Sequence, residues 1–253
     1  MRTPLFFAAV SLALAISSSA SARERLPDVA RPRKPRVTYE DPRAPRPSAR
    51  YASMDRRACL DALAARKIGV SVIDKARGVL VPVRLTGPVG GVTFRTDAPA
   101  IERASSPSEV FDCRLVLALH DFAKVLASHG IDEVRIASAW RPAKGGRSTD
   151  RPRIRHGGAL AVDVTRLGKK LAPGETTKRW LTIASDFQAS INEPLCVAPR
   201  RGLAAQAREL RQITCETRDR KAFTAILTPA YNRAHHDHLH VEIRPKVTWS
   251  LFL

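Results

Sequence analysis

Long hydrophobic runs are missing from this 253-residue sequence. Its longest apolar stretch, Leu5 to Ile16, covers about 12 residues, well short of the ~20 that a transmembrane helix needs. No membrane span is therefore expected. Cysteine is scarce: there are four, none in a Cys-x-x-Cys pair, which argues against a cysteine zinc site. No cysteine stands directly after Ala22, which argues against a lipid anchor. Acidic residues are few, 24 against 43 Lys and Arg, and the net charge is +19. Yet the basic residues are not interleaved with aromatics, and no DNA-reading motif is present, so nucleic acid is not the expected partner. Internal repeats are also lacking.

What is present begins with an export signal. Met1-Arg2 supplies a positive start, the apolar run follows, and Ala20-Ser21-Ala22 gives a small-residue cleavage pattern, so residues 1–22 read as a signal peptide. Residues 23–50 are rich in Pro and Arg with little apolar periodicity, and read as an extended linker. One domain is expected over 51–253, secreted and most simply periplasmic, and monomeric. A basic exported protein meets anionic envelope polymers, which its charge would attract. Four cysteines in an oxidising compartment imply two disulfides among three possible connectivities. Pairing within contiguous blocks favours Cys59–Cys113 and Cys196–Cys215.

Periodicity predicts a helix over Asp55–Lys67 with Leu60, Leu63 and Ala64 on one face, then a hairpin of Val70–Ile73 with Val79–Leu85. A second helix should start at Ser106, with Pro107 at its first position and Glu109 closing a capping box, and stop at Gly130. Strands are expected over Glu133–Ala139, Ala159–Thr165 and His238–Ile243. Trp180, Ile183, Ala184, Phe187 and Ile191 recur at helical spacing between Thr176 and Asn192. Alternating strands beside separate helices indicate an α+β domain, a small antiparallel sheet flanked by helices.

Chemistry concentrates in two segments, His156-Gly-Gly-Ala-Leu-Ala-Val-Asp163 and His235-His-Asp-His-Leu-His240. With a period of two, His238, His240 and Glu242 share one strand face, while Leu239, Val241 and Ile243 share the other. Asp163 closes an otherwise apolar strand, where a carboxylate is costly unless paired or bound to metal. A catalytic zinc takes three N or O ligands and keeps one position open, and His156, Asp163 and His240 supply such a set. His238 or Asp237 then lies within reach as general base.

These residues resemble a known group. His156-x6-Asp163 followed by His238-x-His240 resembles the zinc signature of the D-alanyl-D-alanine metallopeptidases, whose wider group includes lysostaphin-type endopeptidases and the Hedgehog signalling domain. Ile136-Ala-Ser-Ala-Trp-Arg141 looks like the strand-end element that precedes the first ligand there. Over residues 55–245 the chain is more closely similar to the bacterial extensin-like C-terminal domain, through Cys59, Cys113 and Cys215, both ligand segments and Phe223-Thr-Ala-Ile-Leu-Thr-Pro229. The resemblance implies a Hedgehog/D-Ala-D-Ala-peptidase-like zinc site in which His156, Asp163 and His240 hold Zn2+. It implies that Arg141 binds a substrate carboxylate or steadies charge in the transition state. Asp237 occupies the place where many relatives hold a catalytic Glu, and His238 the place where others hold a His. Arg155 stands where extensin-like relatives carry Glu, which makes the surroundings of His156 more positive. The implied activity is zinc-dependent hydrolysis of peptidoglycan peptides, by a carboxypeptidase or an endopeptidase. The alternative is a wall-binding or structural zinc domain without turnover.

Overall fold

The computed structural model describes residues 46–142, 155–197, 201–247 and 249–253. The expected signal peptide and most of the expected linker lie outside them. Helices are α1 (Pro47–Ala52), α2 (Arg56–Ala65), α3 (Ala100–Arg103), α4 (Cys113–Ser128), α5 (Ile183–Asp186) and α6 (Ala205–Asp219). Strands are β1 (Val70–Val72), β2 (Pro82–Leu85), β3 (Thr93–Arg95), β4 (Phe111–Asp112), β5 (Ile131–Ile136), β6 (Ala161–Lys169), β7 (Trp180–Thr182), β8 (Ala225–Leu227), β9 (Leu239–Glu242) and β10 (Leu251–Phe252). The class is α+β, as expected. A three-stranded sheet runs β1-β2-β4 and a larger one β10-β8-β9-β6-β5-β3, with β7 also on β6. Pairing is antiparallel except at the two ends of the larger sheet, where β3 runs parallel to β5 and β10 to β8.

The folded region starts earlier than the expected boundary at residue 51. Pro47 opens α1, where its missing N–H costs nothing, and Ser48 and Tyr51 are buried. The α2 helix and the β1–β2 hairpin form where periodicity places them; Asp55 caps α2 by accepting from the Ala58 N–H (2.8 Å).

Two expected helices are corrected. Ser106 to Glu109 makes only a 3-10 turn, because the Glu109 carboxylate accepts from Thr96 N (2.7 Å) and Thr96 Oγ1 (2.8 Å) instead of closing a capping box. Phe111-Asp112 then pairs with β2, and Asp112 caps the true helix, α4, by accepting from Arg114 N (3.0 Å). Between Thr176 and Asn192, strand pairing overrides the helical period. Trp180, Leu181 and Thr182 align with Gly168, Leu167 and Arg166, and only four residues of helix follow. Gly168 makes this possible, since a Cβ there would stand 2.9 Å from the Trp180 ring. Sequence patterning also left α6 unnoticed in a basic segment; its buried face is Ala207, Leu210, Ile213 and Thr214.

The core lies between α4 and the larger sheet. Phe122 of α4 meets Phe94 of β3 and Phe223 before β8, with ring centroids 6.4 and 6.0 Å apart. Each such fully buried side chain contributes about 1.5–3 kcal/mol. Cys59–Cys113 ties α2 to the start of α4, and Cys196–Cys215 ties a loop to α6, which are the two expected bridges. Among the described residues no helix is long and apolar enough to cross a membrane.

Candidate metal centre

Strand register builds the site. In the β6–β9 ladder Asp163 stands directly opposite His240, with Val162 against Val241 and Val164 against Leu239 on the other face. Directly opposed residues share a face, so the period-two pattern of each strand delivers a carboxylate and an imidazole to one spot. His156 enters from the 3-10 turn Arg155–Gly158 that leads into β6. The chain beyond β5 closes the other side: Arg141 N–H donates to the His156 carbonyl (3.0 Å), and Ala137 N–H to that of Asp163 (2.8 Å).

His156, Asp163 and His240 are 3%, 2% and 6% exposed, and they converge as a group that can bind a metal. His156 Nε2 lies 3.2 Å from Asp163 Oδ1 and 3.3 Å from His240 Nδ1, while His240 Nδ1 lies 2.9 Å from Asp163 Oδ1. Zinc bonds of ~2.0–2.1 Å in tetrahedral geometry would space such donors by about 3.3–3.4 Å, so the triangle needs only slight widening. Tautomers agree. His156 Nδ1–H donates to the Ala139 carbonyl (2.9 Å), which leaves the Nε2 lone pair facing the group. On the far side of His240, Nε2–H donates to Glu242 (3.3 Å), leaving Nδ1 for the group. Carbonyl and carboxylate partners behind the ligating imidazoles are the usual outer shell of a metal site.

The charges also fit a cation. Burial pushes the Asp163 carboxyl up, but its interactions with the His156 and His240 imidazoles outweigh it and hold it well below the usual carboxylate range. Burial likewise opposes charge on His240, and Asp163 and Glu242 overcome it and raise its pKa.

His238 stands beside this group. Its Nε2 is 3.4 Å from Asp163 Oδ1, and its Nδ1–H donates to Asp237 Oδ1 (2.8 Å). Because β9 begins at Leu239 and not at His238 as expected, Asp237 and His238 both precede the strand, and Asp237 turns toward His238. That hydrogen bond, with burial opposing it, holds the Asp237 carboxyl below its usual range. Arg141, half exposed, donates from Nη2 to Asp163 Oδ2 and from Nε to Ser138 Oγ (2.8 Å). It belongs to the site and not to a free surface loop. The described residues thus bring all six expected site residues together.

Three more residues enter that sequence reading gave no role. Glu242 was visible only as a member of the polar strand face. His235 sits 5.1 Å from His238 and 5.9 Å from His240, ring to ring, with its Nδ1–H on Asn232 (2.8 Å). Burial first, then the neighbouring His238 and His240, lowers its pKa to about 4, so it is neutral at pH 7. Ser138 holds Arg141; it was visible only as a member of the Ile136–Arg141 strand-end element.

No family model, curated protein or solved structure matches the chain, so the site's own geometry carries the argument.

Proposed function

We propose that the chain is an exported, periplasmic zinc peptidase that hydrolyses peptidoglycan peptides, with a Hedgehog/D-Ala-D-Ala-peptidase-like centre related to extensin-like C-terminal domains. One observation carries this reading. Three buried donors converge, and an imidazole oriented by its own carboxylate stands beside them. A purely structural site has no use for the His238–Asp237 pair, whereas hydrolysis needs a base. Zinc held by His156, Asp163 and His240 would polarise the scissile carbonyl and favour ionisation of water. With Nδ1–H held by Asp237, His238 presents the Nε2 lone pair, accepts the proton of the attacking water and passes it to the leaving amine. Arg141 offers its remaining N–H groups to the developing oxyanion or to a substrate carboxylate. Arg155 and Arg141, each about half exposed at 52% and 48% of the side chain, make the mouth of the site positive. That suits the anionic stem peptides of the wall.

Metal analysis of the purified protein, with turnover of defined muropeptides by wild type and His240→Ala, tests the proposal. The expected result is one zinc per chain and hydrolysis that the substitution abolishes. Stoichiometric zinc with no turnover of any muropeptide would leave the non-enzymatic wall-binding reading in its place.

A further inference from the structure

The proposed chemistry leaves Glu242 without a role, although it is 3% exposed and beside the metal group. A buried carboxylate is costly unless its lone pairs are filled. Among the described residues, its Oε2 lies 3.3 Å from His240 Nε2 and 3.4 Å from Arg155 Nε, and its Oε1 lies 3.1 Å from Arg244 Nη2. The strand register makes room for it. Glu242 is flanked across the ladders by Ala161 of β6 and Ala225 of β8, whose methyl groups leave the space above the sheet to its longer side chain.

From this geometry we infer that Glu242 is the positioning residue of the metal centre, which accepts His240 Nε2–H and so presents Nδ1 to the ion. An imidazole on a strand can offer either nitrogen, and a neutral ring carries its single proton on the other one. A carboxylate fixed behind Nε2 settles both the tautomer and the ring's direction, and strengthens Nδ1 as a donor. Arg155 and Arg244 pair with its charge. They also explain why this acid stays outside the convergent donor set of His156, Asp163 and His240. The bland alternative is that Glu242 serves only as counter-charge to the two arginines. The inference rests on the metal-centre reading but not on peptide hydrolysis.

The test measures zinc dissociation constants by chelator competition for wild type, Glu242→Gln, Glu242→Ala and Arg244→Gln, with thermal unfolding of each metal-free protein. Both Glu242 variants should bind zinc about 10–100-fold more weakly, and Arg244→Gln within about threefold of wild type. Cobalt-substituted Glu242→Gln should also show a shifted absorption spectrum, which lost stability alone would not produce. Zinc affinity unchanged in Glu242→Ala overturns the inference, as does an equal loss in Arg244→Gln. Nitrogen-15 NMR of the zinc-loaded wild type needs no variant: metal on Nδ1 and a proton on Nε2 of His240 support it, and metal on Nε2 overturns it. Wild type that binds no zinc removes the metal centre itself, an outcome distinct from a wild type and variants that bind equally.

Discussion

The two halves of strand β6 carry charge in opposite ways. At one end Asp163 meets two imidazoles whose lone pairs point at a common spot. Three residues on, Arg166 joins an array in which every acid faces a base. There Glu133 accepts from Arg95 (2.7 Å) and pairs with Arg135 at 2.9 Å and Lys178 at 3.3 Å, while Asp97 bridges Arg135 (3.4 Å) and Arg166. The Trp180 ring takes both Arg135 and Arg166, at 5.2 and 5.0 Å from its centroid. Alternating signs satisfy that array by itself, and it requires no ion. Converging donors of one kind are satisfied only by a proton or a cation. Number of charges does not separate the regions; the direction of their lone pairs does.

Substitutions at the two ends should therefore diverge, most sharply in metal content. His156→Ala or Asp163→Ala should abolish stoichiometric zinc by elemental analysis, while Glu133→Gln should leave it intact. One tightly bound zinc in either site variant would break the distinction. Next in size, His238→Ala should retain zinc and lose hydrolysis by roughly two to four orders of magnitude. Asp237→Ala should lose less, because it only orients the ring. If Asp237→Ala is dead and His238→Ala near wild type, the order of bases is reversed.

Stability effects come below these. Loss of Cys59–Cys113, whose partners are 54 residues apart, should cost about 4 kcal/mol, and loss of Cys196–Cys215, 19 apart, about 3. Denaturant titration of the Cys→Ser pairs checks this; equal or reversed costs would argue against the loop-entropy account. Smallest is Glu133→Gln, at about 1–3 kcal/mol. Burial raises the Glu133 carboxyl, but Arg95, Arg135 and Lys178 outweigh it and hold it below its usual range. Its contribution is thus full above the unfolded value of about 4.3 and fades as pH falls through the folded one. The stability gap between wild type and Glu133→Gln should narrow on acidification; a gap that widens would show that the array does not act as an ion network.

Much of the site was legible because strand patterning is local. A period of two places His240 and Glu242 on one face of β9, and the apolar residues around Asp163 mark it as a carboxylate needing a partner. The helix expected from Ser106 failed because Glu109 had a tertiary alternative in Thr96. The one expected around Trp180 failed because β6 offered a partner strand with Gly168 beneath the indole. In both, a local preference worth a fraction of a kcal/mol per residue met pairing that only the assembled sheet supplies.

The sequence by itself determined which residues can donate to a metal, which strand face Asp163 and His240 occupy, and which cysteines share a block. Tertiary structure decided that Asp163 lies opposite His240, that Arg141 turns to Asp163, and that His156 joins them from the turn before β6. The physical reason is that side-chain alternation is a property of one strand, whereas register and convergence belong to pairs of segments distant in the chain.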